Sequence, residues 1–267
     1  MINDLNNYNS SSYNINNTDR FSPKQNSPRL NDTSNTISFA SLNVRGINDT
    51  CKFEDIIDDL IIENFSIIGL QETRLKETNA NFMFKNFITS HHSNNHYKDY
   101  WSFDPRDSSG GVGFIIAPFV SKYVQKIHRY HSRFIALDIF LPTKKLKVIN
   151  IYNYQQGDFL RSGKAFAKYV SNHIDDARKN NFKVIIMGDF NTDAFLYFNS
   201  LIKGRTPPTF FALTKYLIEH DFIDQHTLDS NNLEFATHYV NNKPTSRIDQ
   251  IWFLDDLLPN EYCFDRV

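Results

Sequence analysis

Cysteine, net charge and long apolar runs are all scarce in this sequence, and each absence removes a class of protein. Two cysteines cannot form a disulfide framework or a structural zinc site, and their scarcity fits a reducing compartment. A formal net charge of -1 gives no global attraction to nucleic acid or to an anionic membrane, so any basic binding surface has to be local. No run is long enough to span a bilayer, and the N-terminus lacks the basic and apolar regions of a secretory signal. We therefore expect an intracellular protein with no membrane partner.

Nucleotide-binding signatures are absent as well. There is no Walker A loop and no GxGxxG motif, and the short GGVG at residues 110–113 fits a tightly packed strand start better than a phosphate cradle. Apolar residues, by contrast, make up 40% of the 267 residues, which is enough for a large core. Residues 1–36 are dominated by Asn, Ser, Asp and Pro. We predict a disordered tail there and one domain over residues 37–267.

Hydrophobic periodicity predicts both strands and helices from residue 37 onward. Phe53, Ile56, Ile57, Leu60 and Ile61 follow the spacing of one helix face, and SGKAFAKYVSNHIDDARKNN and PTFFALTKYLIEHD are predicted helices too. Several strand-like runs follow one another directly, so the sheets cannot be purely parallel. These runs are TISFASLNV, FSIIGL, GGVGFIIAPFV, RFIALDIFL, KLKVINIYNY, FKVIIMGDF, FATHYV and SRIDQIWFL. We expect β-sheets covered by helices.

Polar side chains end four of the buried runs, where rigid strands can hold functional groups and the following loops give access to them. The groups are Asn43, Glu72, Tyr152, Asp189 and Asn191, while Asp249 stands near the start of a fifth run. Each residue alone has a simpler explanation, since Asn43 can be a turn former and Asp249 can pair with Arg247. One shared explanation for the whole set is simpler than separate ones, and it predicts a single site.

The residue types at these strand ends restrict the chemistry. Glu72 and Asp189 offer hard carboxylate oxygens, which suit Mg²⁺ or Mn²⁺, and no His/Cys cluster competes for zinc. Asn43 and Asn191 can orient a water or a phosphate oxygen without adding charge, and Tyr152 can donate to a phosphate or leaving-group oxygen. A metal, a positioned water and neutral donors together suit hydrolysis of a phosphodiester.

These motifs together make the sequence resemble the endonuclease/exonuclease/phosphatase (DNase I-like) superfamily. The matching pieces are, in family order, SLNVRGI, IIGLQETRLK, GGVGFII, VINIYNY, IIMGDFNTD and SRIDQIWF. LQETRL followed by GGVGFII is most similar to the endonuclease domains of LINE-type retrotransposons, in a superfamily that also contains abasic-site endonucleases. The resemblance implies an α+β fold, a four-layer α/β/β/α sandwich of two mixed, mostly antiparallel sheets flanked by helices. It also implies a divalent metal, Mg²⁺ or Mn²⁺, and cleavage of DNA to leave a 3′-hydroxyl, in the nucleus or the cytoplasm.

The same resemblance implies a role for each residue of the set. Glu72, helped by Asn43, would bind the metal, and Tyr152 would contact the phosphate. Asp189 would orient or deprotonate the attacking water with Asn191 as its helper, and Asp249 would hold a histidine in the correct tautomer. The residues assigned to substrate binding are Arg74, Arg133, Thr237 and Arg247.

One part of the family pattern is missing from the sequence. The family ends in a Ser-Asp-His motif on a final core strand; no Ser-Asp-His occurs here, and the last histidine, His238, precedes Asp249. We therefore expect a C-terminally truncated domain with its final core strand missing and a bare sheet edge. Loss of one catalytic group lowers a rate by several orders of magnitude, so catalysis by this chain stays an open question.

Two other functions stay open on the sequence alone. A phosphomonoesterase or phosphoinositide phosphatase belongs to the same superfamily, although the extra basic motifs of those enzymes are absent. A catalytically dead nucleic-acid-binding remnant would use SKYVQKIHRYHSR, where Lys122, Lys126, Arg129 and Arg133 are interleaved with aromatic residues. A solvated strand edge explains that stretch more simply. DNA is the expected partner, and nothing in the sequence indicates an obligate protein partner.

Overall fold

The computed structural model describes residues 10–14, 36–91, 97–107, 109–225, 236–241, 243–254, 257 and 263–265. The α-helices in those ranges are α1 (Thr50–Ile62), α2 (Glu77–His91), α3 (Pro118–Ser121), α4 (Lys164–Lys179), α5 (Ala194–Ile202) and α6 (Ala212–Glu219). The strands are β1 (Ser10–Asn14), β2 (Phe39–Asn43), β3 (Ile67–Gln71), β4 (Lys98–Ser102), β5 (Val112–Ile116), β6 (Val124–Tyr130), β7 (Phe134–Phe140), β8 (Lys145–Tyr152), β9 (Phe182–Asp189), β10 (Phe222–Asp224), β11 (His238–Val240), β12 (Lys243–Ser246), β13 (Asp249–Leu254) and β14 (Cys263–Asp265). No helix in these ranges is both long and apolar enough to cross a membrane.

Two mixed sheets form the centre of the fold. The first has the strand order β14-β1-β2-β3-β5-β4, and the second has the order β10-β13-β9-β8-β7-β6. The pairs β2–β3 and β8–β9 are parallel, and the other neighbours within these sheets pair antiparallel. The strands β11 and β12 form a separate small sheet. This confirms the prediction of two mixed, mostly antiparallel sheets.

Three apolar clusters show how the layers are stacked. One cluster lies between the sheets and joins Phe114 of β5 to Val148 of β8 and Phe253 of β13. A second packs α1 and α2 on the outer face of the first sheet. A third packs α4 and α6 on the outer face of the second sheet. The predicted four-layer α/β/β/α sandwich is therefore confirmed.

Strand β9 shows how the sequence pattern meets this layering. Val184 and Ile186 belong to the cluster under the helices, whereas Ile185 and Met187 belong to the cluster between the sheets. A strand that is buried on both faces reads as a continuous apolar run, which is why FKVIIM shows no polar alternation. The same alternation continues into Asp189 and turns it toward the first sheet.

The α1 helix follows its predicted periodicity, but α2, β4 and α5 were not predicted. The α2 segment contains several Asn and Thr residues, which have weak helix propensity. Its Phe84 and Phe87 are buried and pack edge-on against Phe53 of α1, with ring centroids 6.4 and 6.1 Å apart. Contacts with a distant part of the chain therefore offset a weak local preference.

Strand β1 lies within the N-terminal segment and pairs with β2 in the first sheet. The composition of residues 1–36 predicts disorder, yet Ser10–Asn14 pairs antiparallel with β2 on one side and with β14 on the other. Strand pairing uses the backbone N–H and C=O groups, and every residue type except proline has both. An Asn/Ser-rich composition therefore gives no sign of such pairing. Strand β1 covers one edge of β2, and the truncation with a missing final core strand stays a prediction. The predicted disorder of residues 1–9 and 15–35 lies outside the described residues.

A polar link joins the two sheets inside the apolar layer. Asn150 Nδ2 of β8 donates to the Leu70 and Gly113 carbonyl oxygens at 3.0 and 2.8 Å. Gln71 Nε2 of β3 donates to Asn150 Oδ1 at 2.7 Å and to Ser41 Oγ at 3.1 Å. Since an unpaired buried polar group is strongly unfavourable, these bonds hold the sheets in one relative position beside the polar strand ends.

Candidate active site

Strand register gathers the predicted polar groups at one end of the layer between the sheets. Asp189 of β9 lies opposite Tyr152 of the parallel strand β8 and opposite Asp249 of the antiparallel strand β13. Asn43 ends β2 in the facing sheet. The Asn43 amide donates to Asp189 Oδ2 at 2.8 Å, and this bond joins the two sheets at the site.

Asp189 is a buried carboxylate with hydrogen-bond donors on both oxygens. It is 2% exposed, and besides the bond from Asn43 its Oδ1 accepts from Asn191 N at 2.8 Å. Burial raises the pKa of Asp189 to about 6, and the charge of Glu72 adds to the rise, while the two hydrogen bonds and the charge of Arg133 lower it. A carboxyl group that titrates near neutral pH is suited to general-base catalysis.

Asn153, which the sequence pattern did not single out, holds the segment that follows Asp189. Its backbone N donates to the Asp189 carbonyl at 2.8 Å, its Nδ2 donates to the Phe190 carbonyl at 3.0 Å, and its own carbonyl accepts from Asn191 Nδ2 at 2.8 Å. Asn191 adopts a left-handed backbone conformation with φ 50°, which Asn tolerates better than most residues. The sequence feature that could have identified Asn153 is its position directly after Tyr152, which ends β8.

Tyr152 is a neutral phenol beside a guanidinium. Arg133 lies over the Tyr152 ring, 4.6 Å from its centroid, and its Nη2 lies 3.3 Å from Asp107 Oδ2. Burial, followed by the charges of Glu72 and Asp189, raises the pKa of Tyr152 to about 12. The hydroxyl therefore keeps its proton and can donate a hydrogen bond at neutral pH.

Glu72 follows β3 in a backbone conformation that non-glycine residues rarely adopt. Its φ is 54°, and Arg74, whose guanidinium forms an ion pair with the Glu72 carboxylate, also has a φ of 54°. Gly46 N donates to the Glu72 carbonyl at 2.7 Å and helps to hold this conformation. Arg45 and Asn191 also have positive φ. Strained backbone is common at functional sites, and four of the nine described non-glycine residues with positive φ line this one cleft.

Asp249 has a buried oxygen, Oδ1, without a hydrogen-bond partner. Thr237 Oγ1 accepts from the backbone N of Ile248 and of Asp249, both at 3.0 Å, and so holds this strand start. Burial, followed by the charge of Asp189, raises the pKa of Asp249 well above its usual range, while Thr237 and Arg45 lower it. An unpaired buried oxygen beside a second carboxyl group is a place where a proton or a ligand is expected.

A cleft of about 270 Å³ opens beside these groups. The predicted site residues that line it are Asn43, Glu72, Arg74, Tyr152, Asp189, Asn191, Thr237 and Asp249. The lining residues that were not predicted are Arg45, Gln155, His238, Tyr239 and Ile248. Sequence spacing marks residues at strand ends, whereas these additions come from loops and from the β11–β12 hairpin.

Arg133 and Arg247, both predicted to bind substrate, are not among the residues that line the cleft. Arg247 forms a two-pronged ion pair with the buried Asp224, with Nη1 3.2 Å from Oδ1 and Nη2 in contact with Oδ2. Its backbone N also donates to Asp193 Oδ2 at 3.1 Å. In this structure Arg247 ties the start of β13 to β10, and its role in substrate binding stays a prediction, as does that of Arg133.

The oxygen ligands at this cleft fit a hard divalent cation. Glu72 supplies a carboxylate at the cleft surface, Asn43 an amide oxygen, and Asp249 the unpaired buried oxygen. Among the described residues, no group of three or more His, Cys, Asp or Glu side chains is arranged to hold a metal ion. Mg²⁺ is often held by one or two carboxylates, with water and substrate phosphate filling the other positions. Glu72, helped by Asn43, is therefore the side chain that would hold such a cation.

The raised pKa of Asp189 predicts how stability changes with pH in the metal-free protein. Asp189 binds its proton more tightly in the folded state, where its pKa is about 6, than in the unfolded state, where the pKa of an aspartate is 3.8. Between these values the unfolded state releases its proton first, so the free energy of unfolding falls as pH rises. Relative to Asp189→Asn, the wild type should lose up to about 3 kcal/mol between pH 4 and pH 7. Urea unfolding of both proteins in EDTA measures this, and a constant difference across that range would contradict it.

The fold and the cleft correspond to a known family. A family model described as the Endonuclease/Exonuclease/phosphatase family matches residues 40–255. The chain belongs to this family. Comparison with curated proteins finds no match.

Solved structures of this family's fold share few identical residues with the chain. The 3′ phosphatase NExo from Neisseria, a variant bound to a product DNA hairpin, is 17% identical with a TM-score of 0.59, over 80% of this chain and 85% of that one. The catalytic domain of Xenopus laevis APE2 is 18% identical with a TM-score of 0.58, over 82% of each chain. TDP2 from Caenorhabditis elegans is 12% identical with a TM-score of 0.51, over 77% of this chain and 60% of that one. At identities this low, the structural similarity shows the DNase I-like fold alone. The substrate therefore has to be argued from the residues of the cleft.

Proposed function

We propose that this protein is a divalent-metal-dependent phosphodiester hydrolase, specifically a DNA endonuclease of retroelement type. The observation that carries the proposal is Asp189, buried and held by Asn43 and Asn191, in the wall of a cleft that Glu72 and Tyr152 also line. A fixed base, a carboxylate ligand and a neutral donor are the groups that attack of water on a phosphodiester requires. The retroelement assignment depends on the sequence pieces LQETRL and GGVGFII.

Asp189 acts as the general base in this proposal. Its pKa of about 6 leaves the carboxylate ionised at neutral pH, so it can take a proton from the attacking water. The bonds from Asn43 Nδ2 and Asn191 N use one lone pair on each oxygen and fix the plane of the carboxylate. Such fixed geometry is a large part of what a general base contributes to the rate.

The substrate phosphate meets neutral and positively charged groups of the same cleft. Tyr152 keeps its proton and donates a hydrogen bond to a phosphate oxygen, and the guanidinium groups of Arg45 and Arg74 supply positive charge in the lining. Glu72 and Asn43 would hold a divalent cation, which would supply positive charge against the negative charge that develops on the phosphate. Asp249 keeps its predicted role of holding a histidine as part of this proposal.

Metal removal tests the proposal directly. We expect the wild type to nick supercoiled plasmid in Mg²⁺ or Mn²⁺ and to stop in EDTA, with activity restored by added metal. Glu72→Ala should lower nicking at saturating Mg²⁺ by at least about 100-fold, because it removes the cleft carboxylate that would hold the cation. The matched control is Glu63→Ala, which changes an exposed residue at the C-terminus of α1 and should leave nicking unchanged.

A substrate panel separates this proposal from its alternatives. The panel contains intact plasmid, an abasic-site duplex, a 3′-phosphorylated duplex and a soluble inositol phosphate. Hydrolysis of the last two alone would replace the endonuclease by a phosphomonoesterase. Equal cleavage by the wild type and Glu72→Ala would remove the metal role of Glu72. Salt-dependent DNA binding without cleavage of any substrate would favour a catalytically dead nucleic-acid-binding protein.

A further inference from the structure

The β11–β12 hairpin brings a histidine to the wall of the cleft. His238 is the first residue of β11, and its half-buried side chain lines the cleft together with Asp189 and Asp249. Among the described residues that line the cleft, His238 is the only histidine. Neither the sequence pattern nor the roles proposed above give it a function.

Thr237 determines where this hairpin lies. Its hydroxyl oxygen accepts from Ile248 N and Asp249 N at 3.0 Å, and its backbone N donates to the Ser246 carbonyl at 3.0 Å. Two of these bonds attach the residue before β11 to the start of β13, the strand that pairs with the Asp189 strand, and the third attaches it to the end of β12. His238 comes next along the chain, so the framework that positions Asp249 also positions the His238 backbone.

Thr245 determines which ring nitrogen of His238 carries a hydrogen. The Thr245 hydroxyl donates to the His238 carbonyl oxygen at 2.9 Å and lies 2.8 Å from His238 Nδ1. A hydroxyl has a single hydrogen, so once it is given to the carbonyl, its oxygen can only accept from the ring. Nδ1 is therefore the donor to Thr245. Nε2 is left as the ring's other hydrogen-bonding atom, and it has no partner within the described part of the chain.

We propose that His238 is a further substrate-contacting residue, whose Nε2–H donates to a phosphate oxygen in the cleft, and that Thr245 positions its ring. This inference rests on the proposed function, because it places a phosphate-bearing substrate in this cleft. Because Nδ1–H is already bonded to Thr245, donation from Nε2 to the phosphate uses the doubly protonated ring, and both of its N–H groups then have a partner. Hydrogen bonds between ionised partners are roughly twice as strong as neutral ones, so the contact contributes to binding and to the reaction.

Three substitutions at His238 test which atom matters. His238→Ala should lower kcat/KM for plasmid nicking by about 10- to 100-fold, since one charge-assisted bond to the phosphate is lost. His238→Gln places an amide near the former Nε2 and should recover part of that loss, whereas His238→Asn, which reaches only the Nδ1 position, should not. His220→Ala is the matched control: His220 ends α6, where its Nδ1 lies 2.8 Å from the Tyr216 carbonyl, and the change should leave kcat/KM unchanged.

The positioning role of Thr245 has its own readout. Thr245→Val removes the hydroxyl and keeps the branched shape, and it should lower kcat/KM by about 10-fold, while Thr245→Ser should behave as the wild type. In a His238→Ala background, Thr245→Val should add nothing, because Thr245 acts only through the ring. Additive losses in the double variant would overturn the positioning role.

A spectroscopic measurement separates failure of this inference from failure of the proposed function. Imidazole ¹⁵N spectra of the metal-free wild type, titrated with inorganic phosphate, should show a shift at His238 Nε2 and none at His220. An unchanged kcat/KM in His238→Ala, with Glu72→Ala inactive, would overturn the inference and leave the proposed function standing. If the wild type cleaves no substrate, the proposed function fails, and the phosphate titration alone decides whether His238 contacts phosphate. No shift at His238 Nε2 would then overturn the inference as well.

Discussion

Asp189→Asn should lower kcat for DNA cleavage by about 10³- to 10⁴-fold and leave a folded protein. The amide has the size of the carboxylate and can still accept from Asn191 N through its oxygen, but it cannot take a proton from water. Its nitrogen would face Asn43 Nδ2, which now donates to Asp189 at 2.8 Å, so that bond is lost. Plasmid nicking at saturating Mg²⁺ measures the rate, and circular dichroism with urea unfolding checks the fold.

The matched control for this variant is Asp193→Asn, four residues further along the same segment. Asp193 caps α5 by accepting from Phe195 N at 2.9 Å and accepts from Arg247 N at 3.1 Å, so it holds structure and does not line the cleft. Asn caps a helix as well as Asp does, but its amide has only one oxygen and cannot replace both acceptors, so we expect a loss of about 1 kcal/mol in stability and little change in kcat. Comparable losses of kcat in both variants would indicate a general disturbance of the segment and would contradict the role of Asp189 as the general base.

The strand ends could be predicted because the information for them is local. Continuous or alternating apolar runs indicate where a strand lies, and the first polar residue after each run marks its end. The parallel pairing of β8 with β9 then places Tyr152 opposite Asp189 without any contribution from loops. The sequence could not show that Asn43 bonds to Asp189 across the two sheets, because that contact depends on how the sheets pack.

Other features of the site depend on contacts between distant parts of the chain. Arg247 is predicted from the sequence to contact the substrate. In this structure its guanidinium instead forms an ion pair with Asp224, at the end of β10. His238 is one of nine histidines in the sequence, and although its neighbour Thr237 is a predicted substrate-binding residue, no local pattern gives the histidine itself a role. The bonds that Thr237 makes to Ile248 N, Asp249 N and the Ser246 carbonyl place it beside the cleft. Local patterns therefore predict the strand-end groups and leave the hairpin wall of the cleft unpredicted.

Gly188→Ala should destabilise the protein by about 3 to 5 kcal/mol, the largest stability loss we expect from a single methyl group here. Gly188 has φ 134°, and a Cβ at this position would lie 2.1 Å from the Ile151 carbonyl oxygen and 2.9 Å from Ile151 N. These are backbone atoms of the strand paired with β9, so they cannot rotate away as a side chain would. The next pair in the register is Tyr152 with Asp189, and forcing β9 from β8 would also separate these two groups.

Two other glycines separate the steric contribution from the backbone contribution. Gly204 has φ 63° and open space around its Cβ position, so Gly204→Ala should cost about 1 kcal/mol from backbone strain alone. Gly157 has open space and no positive φ, so Gly157→Ala should cause no loss of stability. Urea unfolding should therefore rank the losses as Gly188, Gly204 and Gly157, with activity lost only in the first. If Gly188→Ala were no worse than Gly204→Ala, the close approach of β8 and β9 at the site would be wrong, and the geometry that places Asp189 beside Tyr152 would have to be revised.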